Sequence, residues 1–220
     1  MKFSTNCNLC PRLVAFLGDV RETHPDYYAR PVASFGDQRA RLLIVGLAPG
    51  MHGANRTGRP FTGDFAGKLL YSTLHKFGFA SQAESLDKTD GAHPGLSLSD
   101  CRVTNAVRCL PPQNKPEPAE VRQCNSYLAD ELATLPPNAA VLSLGVVSHQ
   151  AVLRALGLKG KDYKFGHGMR HDMPNGIVLY DSYHCSRYNT QTKRLNEAMF
   201  HAVFSAITQY LNSLEPNRSI

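Results

Sequence analysis

Cys7 and Cys10 stand as C-x2-C near the start of the chain, and Cys109 and Cys124 as C-x14-C near its middle. A tight pair grips one side of a metal or cluster. A distant, looser pair closes the other side once the chain folds. Thiolates are soft ligands, so four of them select an iron–sulfur cluster or tetrahedral zinc. Three further segments carry side chains of chemical use. The first, residues 46–64, is rich in glycine and holds Asn55, Arg56, Arg59, Phe61 and Asp64. A glycine-rich loop after a strand can cradle phosphate or let a base approach the backbone. The Gly-Lys-Ser/Thr ending of a P-loop and the Rossmann fingerprint are both absent. Phe61 reads as a core plug or as a stacking platform for a flat base. The second segment opens with Asn105, whose amide offers one donor and one acceptor to a nucleobase edge, although turn formation is the commoner role of such a residue. The third, residues 181–190, contains His184, placed to stabilise negative charge on a leaving group.

These side chains need elements to hold them. Residues 41–46 are a short apolar run that reads as a buried strand, and 101–105, 139–145 and 176–181 read as three more. Helical patterns cover 65–77, 118–135, 146–156 and 192–211. Pro118 suits a first helical turn. Asp64 suits the N-cap of the 65–77 helix. Strands alternating with helices imply a parallel sheet covered on both faces, whose sites lie beyond the carboxyl ends of the strands. The three polar segments follow the first, second and fourth strands, so they read as one site. Residues 81–97 and 159–175, rich in Gly and polar residues, read as mobile loops.

The 220 residues suffice for one domain with a sizeable core. No apolar run is long enough for a membrane span or a secretory signal. That points to a reducing cytoplasm, where cysteines bind metal more often than they pair. The net charge of +6 makes a polyanion such as nucleic acid a plausible partner. Residues 212–220 read as a flexible tail.

Taken together the segments resemble one family. Gly46-Leu47-Ala48-Pro49-Gly50, with the following stretch through Arg59-Pro60-Phe61-Thr62-Gly63-Asp64, is similar to the first motif of family 5 uracil-DNA glycosylases, the broad-specificity relatives of the family 4 iron–sulfur enzymes. Thr104-Asn105-Ala106-Val107-Arg108-Cys109 with Asn114-Lys115-Pro116 resembles the next motif, and His184 with Ser186, Arg187, Asn189 and Thr190 the final one. The resemblance covers residues 7–195. It implies a three-layer α/β/α sandwich around a four-stranded, mainly parallel sheet. It implies a monomer that removes uracil, and deaminated purines such as hypoxanthine or xanthine, from DNA, working in the cytoplasm and at the nucleoid when bound to DNA. Cys7, Cys10, Cys109 and Cys124 would hold a structural [4Fe–4S] cluster, with zinc the alternative. Cys185 stands where relatives often carry proline.

Phe61 would then stack on a flipped base, Asn105 would read its pairing edge, and Gly46 and Ala48 would line its pocket. His184 would stabilise the departing base. The family lacks the polar residue that positions water in other uracil glycosylases; Leu47 and Ala48 occupy that stretch, leaving Asn55 or Asp64 for the task. Arg56, Arg59, Lys115 and Arg187 would meet DNA phosphates. Two rival functions are a catalytically silent nucleic-acid-binding protein and an enzyme acting on free nucleosides.

Overall fold

A computed structural model describes residues 3–87, 89 and 91–214. Four parallel strands form the centre of a six-stranded sheet: β2 (Leu42–Gly46), β3 (Cys101–Asn105), β4 (Ala140–Leu144) and β6 (Val178–Ser182). The sequence reading of a four-stranded sheet misses two edges, β1 (Phe35–Gly36) and β5 (Arg170–Asp172). Both pair antiparallel, giving the order β1-β3-β2-β4-β6-β5. They are two and three residues long, and β5 is polar, so no apolar run announces them.

Every residue of the four central strands is buried. Side chains alternate between faces. Leu42, Ile44, Val103 and Leu142 pack against α3 (Phe65–Lys76) and α7 (Glu197–Ser213). Leu43, Val45, Val141 and Leu179 pack against α4 (Pro118–Ala133) and α5 (Val146–Ala155). Helices on both faces of a parallel sheet make the three layers. No helix among the described residues is long and apolar enough to cross a membrane.

The 192–211 helix expectation needs correction. A short helix, α6 (Arg187–Gln191), ends first, and Lys193 then adopts a left-handed φ of 58°. Asn196 starts α7 by accepting from Met199 N at 2.8 Å. The helix continues to Ser213, into the stretch read as tail, with Leu211 buried; residues 215–220 lie outside the described residues. The longest helix that went unread lies near the start of the chain. α1 (Pro11–Thr23) buries Leu13, Leu17 and Val20 in a third apolar cluster with Tyr127 of α4. The loop at 159–175 carries β5, and the one at 81–97 is tied across its base by Ser81 N to Ser97 O at 3.0 Å.

Candidate active site

All four parallel strands point their carboxyl ends at one cleft of about 770 Å³. Leu47, Ala48 and Gly50 enter it after β2, Asn105 from the end of β3, Leu144 and Gly145 from β4, and His184 beyond β6. Chain order reverses beside β2, which has β3 on one side and β4 on the other. Open α/β sheets place ligands at such a switch point.

Phe61 is held by its loop. Tyr71 donates to Pro60 O at 2.9 Å, and Thr57 donates to Thr62 O at 3.1 Å. Phe61 itself takes a left-handed φ of 53° and is 5% exposed. Its ring is both core and lining: it packs in the α3/α7 layer and lies 5.9 Å, at 24°, from the His184 ring. Gly46 makes this possible. A Cβ there would lie 2.5 Å from Phe61 Cζ and would also collide with Asn105 Oδ1. Gly46 thus stands behind the two side chains rather than in the lining.

Asn105 Oδ1 and His184 Nδ1 are buried without a hydrogen-bond partner. Buried polar atoms are seldom left so. Burial pushes the His184 pKa down to about 4, so its ring is neutral near pH 7. Asn189 Nδ2 donates to His184 O at 2.8 Å, fixing the backbone that presents the ring.

Asp64 divides its carboxylate. Oδ1 caps α3 by accepting from Gly67 N at 2.8 Å. Oδ2 faces the glycine loop: a Cβ on Gly53 would lie 2.6 Å from it. Asp64 lines the cleft, and burial raises its pKa despite the backbone bonds from Gly67 and Ala66. Asn55 does not join it. It sits in α2 (Ala54–Thr57), fully buried, with neither side-chain polar atom paired, while its neighbours Gly53 and Ala54 form the wall.

The four basic residues separate. Arg187 is exposed on the cleft wall, 5.5 Å over the Phe65 ring. Lys115 is exposed beside Asn114, which lines the cleft. Arg56 donates to His52 O at 3.0 Å. Arg59 departs from expectation: it stacks 4.5 Å over Phe35 and donates to His93 O at 2.8 Å, so its charge braces a loop and is absent from the cleft. Sequence reading missed Lys68, His52 and the wall formed by Gly145, Val146 and Val147. A glycine closing β4, like the Gly46 that closes β2, was the available signal.

The four cysteines meet on the α1/α4 side. They line one small recess with Leu13, Val107 and Tyr127. Arg108 N donates to Cys124 Sγ at 3.4 Å, and Tyr127 Oη to Cys7 Sγ at 3.4 Å. Arg12 of α1 clamps Glu120 of α4 through two bonds of 2.8 Å, fixing the helices that carry Cys10 and Cys124. Such a soft, deprotonatable donor set fits a thiolate-bound cluster or metal. Cys101 and Cys185 are buried elsewhere, in the α3/α7 core.

The fold and its cleft belong to the uracil DNA glycosylase superfamily, whose family model matches residues 33–208. Within it, the chain is a member of the type-5 family. It is 47% identical over 201 residues to the type-5 uracil-DNA glycosylase of Thermus thermophilus, spanning 89% of this chain and 90% of that one. It is 41% identical to the type-5 protein of Mycobacterium bovis, over 90% of this chain and 75% of that one. A type-4 uracil-DNA glycosylase of Pyrobaculum aerophilum is more distant, 30% identical over 72% and 69%.

Proposed function

We propose that this protein is a DNA glycosylase that hydrolyses the N-glycosidic bond of uracil and leaves an abasic site for base excision repair. The observation that carries this reading is the convergence of Phe61, Asn105, Asp64 and His184 on one cleft at the strand ends. The target nucleotide leaves the stack and enters the cleft. Phe61 stacks on its base, and Asn105, whose buried Oδ1 has no other partner, bonds the pairing edge. Bond breaking places positive charge on the sugar and negative charge on the base, as in other glycosyl transfers. Neutral His184 donates a hydrogen bond to the departing base. A neutral imidazole keeps one ring N–H, so it can donate this bond without carrying a charge. Asp64 supplies the remaining need: its Oδ2, facing the glycine loop with a raised pKa, orients or deprotonates the attacking water. Asn55, behind the wall, does not take part.

Exposed Arg187 and Lys115, with Lys68 on the cleft wall, meet phosphates of the flanking strand. A cleft of about 770 Å³ also admits hypoxanthine and xanthine. Cys7, Cys10, Cys109 and Cys124 would hold a [4Fe–4S] cluster as a structural tie between the N-terminus and α4. Four thiolates also suit tetrahedral zinc, which is the alternative.

The test is a labelled duplex with one uracil, incubated with anaerobically purified protein and then treated with alkali. A cut at uracil, absent from undamaged duplex, is expected. His184→Ala should lose far more single-turnover rate than Asn55→Ala; an unaffected His184→Ala enzyme would remove His184 from the mechanism. Tight DNA binding with no abasic product would instead favour a silent binding protein.

A further inference from the structure

Asp181, fully buried at the end of β6, accepts four hydrogen bonds. Ser143 Oγ (2.6 Å) and His149 Nδ1 (2.8 Å) reach Oδ1; His171 Nε2 (3.1 Å) and Gly166 N (3.4 Å) reach Oδ2. His149, 2% exposed, has a second partner, Tyr163 O, 3.0 Å from Nε2. A carboxylate and a backbone carbonyl can only accept. Both bonds therefore require a proton on each ring nitrogen of His149, which makes it a buried cation against a buried anion. His149, His171 and Asp181 have the composition of a metal site. Yet each carboxylate oxygen already accepts two donors and both His149 nitrogens face acceptors, so a metal would have to break this network.

The network touches the proposed site through backbone. His149 N donates to Gly145 O at 3.1 Å, and Gly145 N donates to Ser182 O at 2.8 Å. A Cβ on Gly145 would lie 3.8 Å from His184 Cβ. Asp181 stands three residues before His184 on the same chain. Taking the catalytic assignment of His184 as given, we propose that the His149–Asp181 ion pair is a positioning device: it locks the end of β6, and loss of the His149 proton as pH rises releases His184 and slows base removal.

The groups around the imidazole are few. Asp181 comes from β6, His171 from β5 and Ser143 from β4, and Tyr163 and Phe165 come from the loop. Burial pulls the His149 pKa down, but the bond and charge of Asp181 and the Tyr163 carbonyl outweigh it, and the net shift is upward from 6.5. A raised folded value gives stabilisation complete below about 6.5 and lost as pH climbs through the folded pKa.

Two measurements test this on the full chain. Nitrogen-15 NMR of histidine-labelled protein should show both ring nitrogens of His149 protonated at neutral pH. Single-turnover cleavage of uracil duplex, followed into alkaline pH, should fall with the midpoint that NMR gives for His149. His149→Asn keeps a donor to Asp181 but cannot titrate. It should lose that alkaline limb and run on the order of tenfold slower, with duplex affinity changed less than about threefold. A neutral His149 ring at neutral pH, or a limb that persists in His149→Asn, overturns the proposal. If the variant fails to fold, wild-type midpoints that disagree overturn it equally. Full activity in His184→Ala would sink the catalytic assignment instead, and would leave the NMR result standing.

Discussion

Gly46→Ala probes the site without touching any group that does chemistry. The new methyl would lie 2.5 Å from Phe61 Cζ and 2.8 Å from Cε2, and closer still to Asn105 Oδ1. Carbon atoms prefer about 3.5–4.0 Å, so something must move by about 1 Å. β2 cannot yield easily, because it is hydrogen-bonded to β3 on one side and β4 on the other. Phe61 and Asn105 must therefore shift. Overpacking of this kind costs about 1–3 kcal/mol of stability, which a domain stable by about 5–15 kcal/mol survives. Misplacing a reacting base by about 1 Å costs on the order of 100-fold in rate, or about 2.7 kcal/mol in the barrier. Single-turnover cleavage of uracil duplex should thus fall about 100-fold in a folded protein, with a melting curve confirming the fold. Wild-type rate in folded Gly46→Ala would refute the assignment of Phe61 and Asn105 to the base.

Four further outcomes are expected. Asp64→Asn keeps an N-cap acceptor for Gly67 but cannot ionise, so it should slow cleavage while leaving the melting temperature near wild type. Asp64→Ala should slow cleavage and also lose about 1 kcal/mol of stability. His184 has a folded pKa of about 4 against 6.5 ordinarily, so the unfolded chain binds its proton first. Its contribution to stability should therefore decline as pH falls from about 6.5 toward 4, while the rate shows no His184 titration near neutrality; a His184 NMR titration near 6.5 would contradict this. Glu131→Ala strands Arg108, which is 3% exposed and bonded to that carboxylate at 2.6 Å. Denaturant unfolding should show a loss of about 3–5 kcal/mol. Replacing Cys109 or Cys124 by Ala should remove metal from purified protein, and elemental analysis of the wild type should return about four irons per chain rather than one zinc.

Much of this was legible locally. β2 and β4 are near-continuous runs of Leu, Ile, Val and Ala, the pattern of buried parallel strands, whereas β3 and β6 mix apolar with polar residues. α3 announced itself through its leucine spacing and Asp64 cap, and α4 through Pro118 at its first turn. The candidate thiolate set was legible because cysteine chemistry depends on residue type, and the fold brings its four members to one recess. α1 passed unread although its apolar spacing was present, and β1 and β5 were too short to carry a pattern.

Tertiary structure decided what local patterns cannot express. Asn55 and Asp64 lie nine residues apart in one motif, and both were candidates for handling water. Only Asp64 reaches the cleft, because it heads a helix whose first turn faces the glycine loop, while the short helix α2 turns Asn55 inward. Arg59 and Arg187 are the same residue type near the same site, yet one braces a loop over Phe35 and the other faces the cleft. The His149–Asp181–His171 network joins α5, β6 and β5, and no spacing in the chain signals it. Residue type and periodicity determine which groups are available and which segments are buried. Where a polar side chain ends depends on packing directions summed over distant elements, and that sum exists only in the folded chain.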